Sequence, residues 1–290
     1  MKQDARVILM FAFGVGVLGL IVAGPLLYAI KLSFYATDSF IAKPRWVGFE
    51  NYTYILTDPI FWKALLNGLS ISLATIVLQV VLGVGIALVL NRQFAGQSIV
   101  RSLAVLPYFL PTVVACLVLQ WLLDPNYGLV KSILGSMGLR MFDWSADPLS
   151  AKSMVVLVSV WLWTPFVVTC VLAGLQSIPT QLYEAAKVDG AGPVTQFFHV
   201  TLPGLSSVLV VVVLLRSIWM FNKFDVIWLL TKGGPLNETE TLPTLAYRKA
   251  FVEFDLGGGA AVATTSFALL AAVILVYLRF FPLDTAERRR

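Results

Sequence analysis

The chain has 290 residues, of which 58% are hydrophobic and 13% are charged, and its mean hydropathy is +0.84. Charged residues make up about 25% of an ordinary soluble domain, so this composition excludes that class and indicates a protein built for lipid. We attribute the net charge of +5 to membrane topology rather than to nucleic-acid binding, because membrane proteins concentrate basic residues on one side.

Long uncharged runs divide the chain into segments that can cross a bilayer. Five runs hold 22 to 31 residues without a charge, and a sixth is interrupted only by Arg216. A spanning helix needs ~20 apolar residues, so each run can cross once. We predict an all-α membrane protein with a single domain over residues 1–290. Its six transmembrane helices are expected at 7–30, 65–90, 102–123, 153–175, 205–222 and 259–280, with kinks or ends at Pro25, Pro107, Pro111 and Pro165.

The distribution of basic residues predicts the orientation. Six crossings place both termini on one side, with the loops 31–64, 124–152 and 223–258 on the other. The first run lacks the small-residue cleavage site of a signal peptide, so we expect it to be retained. Eleven Lys and Arg residues lie in the three longer loops and nine lie with the termini. Positive charge is therefore denser beside the termini, most clearly in Arg288–Arg290, which predicts that both are cytoplasmic.

A polar stretch at 177–203 lies between the fourth and fifth predicted spans, on the side of the termini. Pro179 fits the first turn of a short helix, with Ser177 as its cap. Gly190 fits the left-handed residue that ends such a helix. Gly192-Pro193 then fits the start of a second short helix, which Pro203 is expected to end before the bilayer.

The spacing within this stretch resembles the EAA loop of permease subunits in ATP-binding-cassette (ABC) importers. The family pattern is Glu-Ala-Ala, three residues, Gly, nine residues and Ile-x-Leu-Pro, and only Val200 replaces the usual Ile. The resemblance implies that this coupling loop docks into a groove on a partner ATPase. The residues assigned to it are Glu184, Ala185, Ala186, Asp189, Gly190, Leu202 and Pro203. Without the resemblance, the stretch is an amphipathic connector with chance alanines.

Two external segments narrow the resemblance. Residues 47–52, and residues 224–231 with the following Gly233-Gly234-Pro235, are similar to loops of maltose-type and glycerol-phosphate-type permeases, the latter set to the first of their two permeases. The resemblance implies the type I importer fold in a bacterial plasma (inner) membrane. It also implies three partners: a second homologous permease, a dimer of ABC ATPases and an extracytoplasmic solute-binding protein. Sugars, oligosaccharides, polyols and glycerol phosphates all remain candidate solutes.

The sequence lacks the residues for catalysis. No Gly is followed by Lys, so the phosphate-binding P-loop is absent, and ATP and Mg²⁺ are expected on the partner ATPase rather than on this chain. The single histidine, His199, lies in the coupling loop without a base and an orienting partner. One histidine and two separated cysteines, Cys116 and Cys170, cannot make an ordinary zinc site. We expect a non-catalytic membrane subunit without a cofactor.

Arg216 is a charge well inside a predicted span, whereas Arg279 lies at the end of the sixth span. A polar and aromatic cluster follows Arg216. An intramembrane charge usually faces a cavity or a partner. One interpretation is a substrate path lined by Arg216, Trp219, Asn222 and Asp225. The other is an ion pair or helix cap that holds a second permease. Trp161, Trp163 and Trp228 likewise either stack on a solute or anchor the membrane interface.

A stand-alone ion-coupled secondary transporter is the alternative function. Such a protein is expected to carry charged relay residues in several spans and often internal repeats. Arg216 alone fits the first description, and no repeat is visible. A membrane-embedded enzyme lacks a nucleophile–base set.

Overall fold

The computed structural model describes residues 2–37, 43–139 and 143–281, and these are mainly helical. The α-helices are α1 Lys2–Leu32, α2 Glu50–Thr57, α3 Pro59–Leu90, α4 Gln97–Val105, α5 Thr112–Leu122, α6 Leu129–Ser136, α7 Pro148–Ser177, α8 Thr180–Val188, α9 Pro193–Gln196, α10 Leu202–Phe221, α11 Asp225–Leu230, α12 Leu242–Tyr247 and α13 Leu256–Phe280. A 3₁₀ turn covers Leu106–Phe109, and π-helical turns cover Phe197–Thr201 and Arg248–Val252. Strands β1 (Tyr35–Ala36) and β2 (Arg45–Trp46) pair antiparallel.

Five helices among the described residues are long and apolar enough to cross a membrane. They are Phe13–Leu32, Pro59–Leu90, Pro148–Ser177, Pro193–Phe221 and Leu256–Phe280. A sixth crossing exists if the bent pair Gln97–Phe109 and Thr112–Leu122 is counted as one span. The all-α membrane fold is confirmed. The Arg288–Arg290 tail, on which the predicted orientation partly rests, lies outside the described residues.

The third predicted span is not one straight helix. Its two halves are bent by 97°, and the prediction of a continuous helix over 102–123 is therefore wrong. Leu106, before Pro107, keeps helical angles (φ −50°, ψ −44°). The break instead comes from Pro111, because a residue before proline avoids the helical conformation. Leu110 accordingly has an extended backbone, with φ −75° and ψ 133°. By contrast, Pro25 and Pro165 lie inside the continuous helices α1 and α7, and neither ends its helix.

Pro203 does not end the short helix before it, which corrects a second prediction. Residues Pro193–Phe221 form one helix of 29 residues. Proline has no N–H to donate to the carbonyl four residues earlier. The turn Phe197–Thr201 instead widens to π geometry, and the Leu202 amide donates to the Phe197 carbonyl, five residues back. The helix therefore continues through the proline.

The chain divides into two compact units, each described here by itself. One lies within residues 1–62 and 242–269, and the other within 63–241 and 270–290. In the first, Asn51 Nδ2 donates to the carbonyls of Ser33 (2.8 Å) and Tyr35 (3.0 Å). Phe34 stacks on Trp46 with their ring centroids 5.7 Å apart. These contacts bring the segment 47–52 against the end of α1. The assignment of a single domain stays a prediction.

In the second unit, small residues bring three long helices close together. A Cβ atom on Gly83 of α3 would lie 2.6 Å from Val167 Cγ1 of α7, and one on Gly174 of α7 would lie 2.9 Å from Leu205 Cδ2 of α10. Small residues allow such close approach of membrane helices. An apolar cluster that includes Ala87, Val171 and Val212 fills the space beside these contacts. The core of this unit thus joins α3, α7 and α10.

Candidate functional site: coupling loop and cavity

The first half of the coupling loop, α8, is a short helix that a left-handed glycine ends. Gly190 has φ +78°, as predicted. The Gly190 amide donates to the Lys187 carbonyl (3.0 Å) and the Ala191 amide to the Ala186 carbonyl (2.8 Å), which closes the helix end. Ser177 does not cap α8, and that prediction is wrong. It is the last residue of α7, and its hydroxyl donates back to the Gly174 carbonyl at 2.8 Å.

Side-chain hydrogen bonds tie the first half of the coupling loop, residues 180–191, to the start of the long helix Pro193–Phe221, where the second half of the loop lies. The hydroxyls of Tyr183 and Thr201 lie 3.1 Å apart, and Gln196 Nε2 donates to the Ala191 carbonyl at 2.8 Å. Tyr183 also packs against the apolar cluster of α3, α7 and α10. The loop is therefore fixed to that helix rather than tethered loosely to it.

The predicted coupling residues lie on the surface of this unit. Ala186 is half-buried, and the others (Glu184, Ala185, Asp189, Gly190, Leu202 and Pro203) are exposed. Large apolar side chains are exposed beside them: Val188 is 88% and Val194 71% exposed. An apolar surface with charges around it can bind a protein partner. His199 is exposed, and its Nδ1 lies 3.0 Å from the Thr195 carbonyl.

The predicted path residues share one cavity of about 520 Å³. Its wall includes Arg216, Trp219, Asn222 and Asp225 together with Tyr108, Trp163 and Lys223. Lys223 Nζ forms an ion pair with Asp225 Oδ1 at 2.9 Å and lies 4.2 Å from the centroid of the Trp163 ring. The cavity thus combines aromatic faces with hydrogen-bonding groups, a combination common in sites for small polar ligands.

Arg216 is held at the cavity wall by uncharged groups. Its side chain is 1% exposed. Its Nε donates to Gln79 Oε1 at 2.8 Å, and Nη2 contacts Met220 Sδ at 3.2 Å. The guanidinium carbon lies 5.6 Å from the Trp163 ring centroid and 5.7 Å from that of Trp219. These contacts suit a cation–π arrangement.

Two residues at this site were not predicted from the sequence: Gln79, which contacts Arg216, and Tyr108, which lines the cavity. Gln79 is fully buried, and its Nε2 donates to the Ser159 carbonyl at 3.0 Å, so it links α3, α7 and α10. A signal existed, because an amide side chain within an apolar span is costly unless it has a partner. Tyr108 lies in the 3₁₀ turn at the break of the third span, and no motif marked it.

The three other tryptophans from the sequence analysis lie in different environments. Trp163 lines the cavity. Trp228 stacks on Phe224, with ring centroids 5.7 Å apart. Trp161 is 43% exposed, and its role as an interface anchor stays a prediction. Cys116 and Cys170 are free thiols.

Comparisons with known proteins identify the family of the chain. Residues 79–284 match the family described as "Binding-protein-dependent transport system inner membrane component". The sulfoquinovosyl glycerol transport permease SmoG of Agrobacterium fabrum is 36% identical over 94% of this chain and 89% of its own length. The trehalose/maltose transport permease MalF of Thermococcus litoralis is 34% identical over 88% of this chain and 86% of its own length.

A solved structure shows the same fold. A chain of a bacterial ABC transporter that imports the acidic polysaccharide alginate superposes with a TM-score of 0.85. It is 22% identical, and the alignment covers 98% of this chain and 97% of that chain. The resemblance to carbohydrate importer permeases of type I fold is thereby confirmed. The chain belongs to the family of inner membrane components of binding-protein-dependent transport systems, and it is a multi-pass permease of the ABC importer class.

Proposed function

We propose that this chain forms one half of the solute path of a carbohydrate importer and transmits ATP-driven motion to it from the coupling loop. The observation that carries the proposal is the continuous helix Pro193–Phe221. Its first turns are hydrogen-bonded to the coupling loop, and its last turns carry Arg216 and Trp219 at the cavity. Twenty-nine helical residues extend about 43 Å at 1.5 Å per residue, so one rigid element joins the two sites.

The mechanism follows from that connection. Binding of ATP and Mg²⁺ to a partner ATPase dimer closes the ATPases and moves the groove that holds α8. Tyr183, Thr201 and Gln196 pass this displacement to the long helix, because packed interfaces switch between discrete arrangements rather than deforming. The part of the cavity wall that this helix carries then moves relative to α7, which carries Trp163. Access to the cavity changes as a result, while this chain itself catalyses no reaction.

The proposed partner proteins, membrane orientation and class of solute are based on the family to which the chain belongs. A second homologous permease completes the path, and an extracytoplasmic solute-binding protein delivers the solute to the external loops. The coupling loop faces the cytoplasm, where ATP is available, so both termini are cytoplasmic in a bacterial plasma membrane. The relatives named for sugars support a carbohydrate solute, whose rings can stack on Trp163 and Trp219.

Matched variants of the assembled transporter test the proposal. Ala186→Trp adds a large side chain to the face that docks, and Ala146→Trp makes the same change at an exposed position in the loop before α7. We expect Ala186→Trp to abolish co-purification of the ATPase, and Ala146→Trp to retain it. Trp219→Ala is expected to retain the ATPase and lose solute uptake into proteoliposomes. Full uptake by Ala186→Trp, or uptake without ATP as in an ion-coupled transporter, would refute the coupling mechanism.

A further inference from the structure

Among the residues whose side chains the structure describes (11, 13–37, 43–139 and 143–281), the positive charge of Arg216 has no negative partner. Its contacts are Gln79, Met220 and the rings of Trp163 and Trp219, all of them uncharged. The other cation on the cavity wall, Lys223, is paired with Asp225 at 2.9 Å. The cavity therefore carries one uncompensated positive charge.

An uncompensated charge at this depth needs a counter-charge. An intramembrane arginine is costly and usually pairs with an anion or faces a polar path. Arg216 has five N–H donors, of which one is used by Gln79 and another by Met220. Gln79 is itself held by the Ser159 carbonyl. The guanidinium is thus fixed in orientation before a ligand arrives, with N–H donors left for an oxyanion.

We propose that the solute carries an anionic group, a carboxylate, sulfonate or phosphate on a sugar ring, which Arg216 neutralises in the cavity. This inference rests on the proposed function, because it assigns the class of solute that the path accepts. Gln79 is the positioning residue that orients the guanidinium. Trp163 and Trp219 supply the faces on which the sugar ring stacks. The alternative source of the anion, an acidic side chain of the second permease, is separated by the test below.

The test compares matched solutes that differ in charge. The complete transporter without its binding protein is titrated with glucosylglycerol and with sulfoquinovosyl glycerol, and with trehalose and trehalose 6-phosphate. A third pair is an acidic oligosaccharide of uronic acids and a neutral oligosaccharide of the same number of sugars, which differ in charge at every ring. Binding is followed through tryptophan fluorescence, because Trp163 and Trp219 line the cavity. We expect saturable binding of an anionic member at an affinity at least about tenfold above its neutral counterpart, the factor that a charge-assisted hydrogen bond supplies.

Two variants abolish the net positive charge at Arg216, one by deleting the arginine and the other by placing a carboxylate beside it. Arg216→Gln deletes it, and Gln79→Glu places a carboxylate at the position of an oxygen that lies 2.8 Å from Arg216 Nε. Both are expected to reduce the affinity for the anionic member by about tenfold or more and to change that for the neutral member by less than about threefold. Gln79→Glu retains the arginine, so it remains informative if Arg216→Gln does not assemble.

The results that would overturn this proposal differ from the result that would overturn the proposed function. Preference for the neutral members, or no saturable binding of any anionic probe, overturns the proposal. An equal loss for both members in Arg216→Gln, together with loss of the second permease, assigns the arginine to subunit association and also overturns it. Trp219→Ala is expected to weaken both members equally. If that variant binds both members normally, the path itself is misplaced and the proposed function fails at this cavity.

Discussion

Glu238 joins the first turns of two long apolar helices, and its removal tests how much these ion pairs stabilise the fold. Glu238 Oε1 lies 2.8 Å from Lys63 Nζ of α3, and Oε2 lies 2.7 Å from Lys152 Nζ of α7. The two ammonium groups lower the pKa of Glu238 from its ordinary 4.5 to about 2. Taken without solvent screening, that shift corresponds to about 3 kcal/mol. The three side chains are 27–37% exposed, so we expect about 1–2 kcal/mol for the two pairs together.

The direction of the pH dependence follows from the lowered pKa. A carboxylate whose pKa is lower in the folded state contributes its full stability above pH 4.5 and loses it as the pH falls toward 2. Glu238→Gln should therefore lower Tm by about 2–6 °C at pH 7, and the difference from the unaltered protein should narrow at pH 2.5. The measurement is thermal unfolding of the purified protein in detergent, followed by tryptophan fluorescence.

A second glutamate provides the matched control. Glu253 is 43% exposed, and its pairs with Arg248 and Lys249 are longer, at 3.7 and 3.9 Å. Glu253→Gln should change Tm by less than about 2 °C, because exposed pairs of this kind contribute little. If both variants lower Tm equally, or if the effect of Glu238→Gln is as large at pH 2.5 as at pH 7, the two short ion pairs are not the cause.

Two glycine pairs give further predictions. Gly83→Ala places a Cβ 2.6 Å from Val167 Cγ1, whereas Gly85→Ala meets nothing within 4 Å. The first should cost about 1–3 kcal/mol and lower Tm in the same assay, and the second should not; equal Tm values would contradict the close approach of α3 and α7. Gly190→Ala must adopt φ +78° at a cost of about 1–2 kcal/mol, and Gly192→Ala retains an ordinary φ of −70°. Hydrogen exchange at residues 186–191 should accelerate only in the former, and equal exchange would show that Gly190 is not under this constraint.

The sequence predicts the features that depend on spacing and hydropathy. The spans follow from uncharged runs, and the helix-ending role of Gly190 follows from its place in the coupling loop. The details that depend on competing backbone preferences were not predictable. Pro111 breaks a span, whereas Pro165 lies within α7. Pro203 is absorbed by a π-helical turn. Whether a proline ends a helix depends on whether the preceding turn can rearrange and whether neighbouring helices satisfy the freed groups.

At the cavity, too, residues close together in the sequence could be predicted as one site, whereas a contact between distant residues could not. Arg216, Trp219, Asn222 and Asp225 lie close together in the sequence, and the turn after α10 brings them to one wall. Gln79 lies more than a hundred residues from Arg216, and nothing local indicates that its amide meets the guanidinium. That contact arises because small residues let α3, α7 and α10 pack closely. Long-range partners of this kind require the fold.

The unbroken helix Pro193–Phe221 also fixes the rotational phase between the two ends of the permease. Each residue turns an α-helix by about 100°, so one inserted residue between Thr201 and Arg216 would rotate the arginine by that angle away from Gln79 and the cavity. An insertion of comparable size in the turn before α8 would leave this phase intact. Changes in chain length can therefore accumulate in the connecting turns of this protein but not in the fifteen-residue interval between those two positions. The number of residues in this interval thus sets both the distance between Thr201 and Arg216 and the direction in which the Arg216 side chain points.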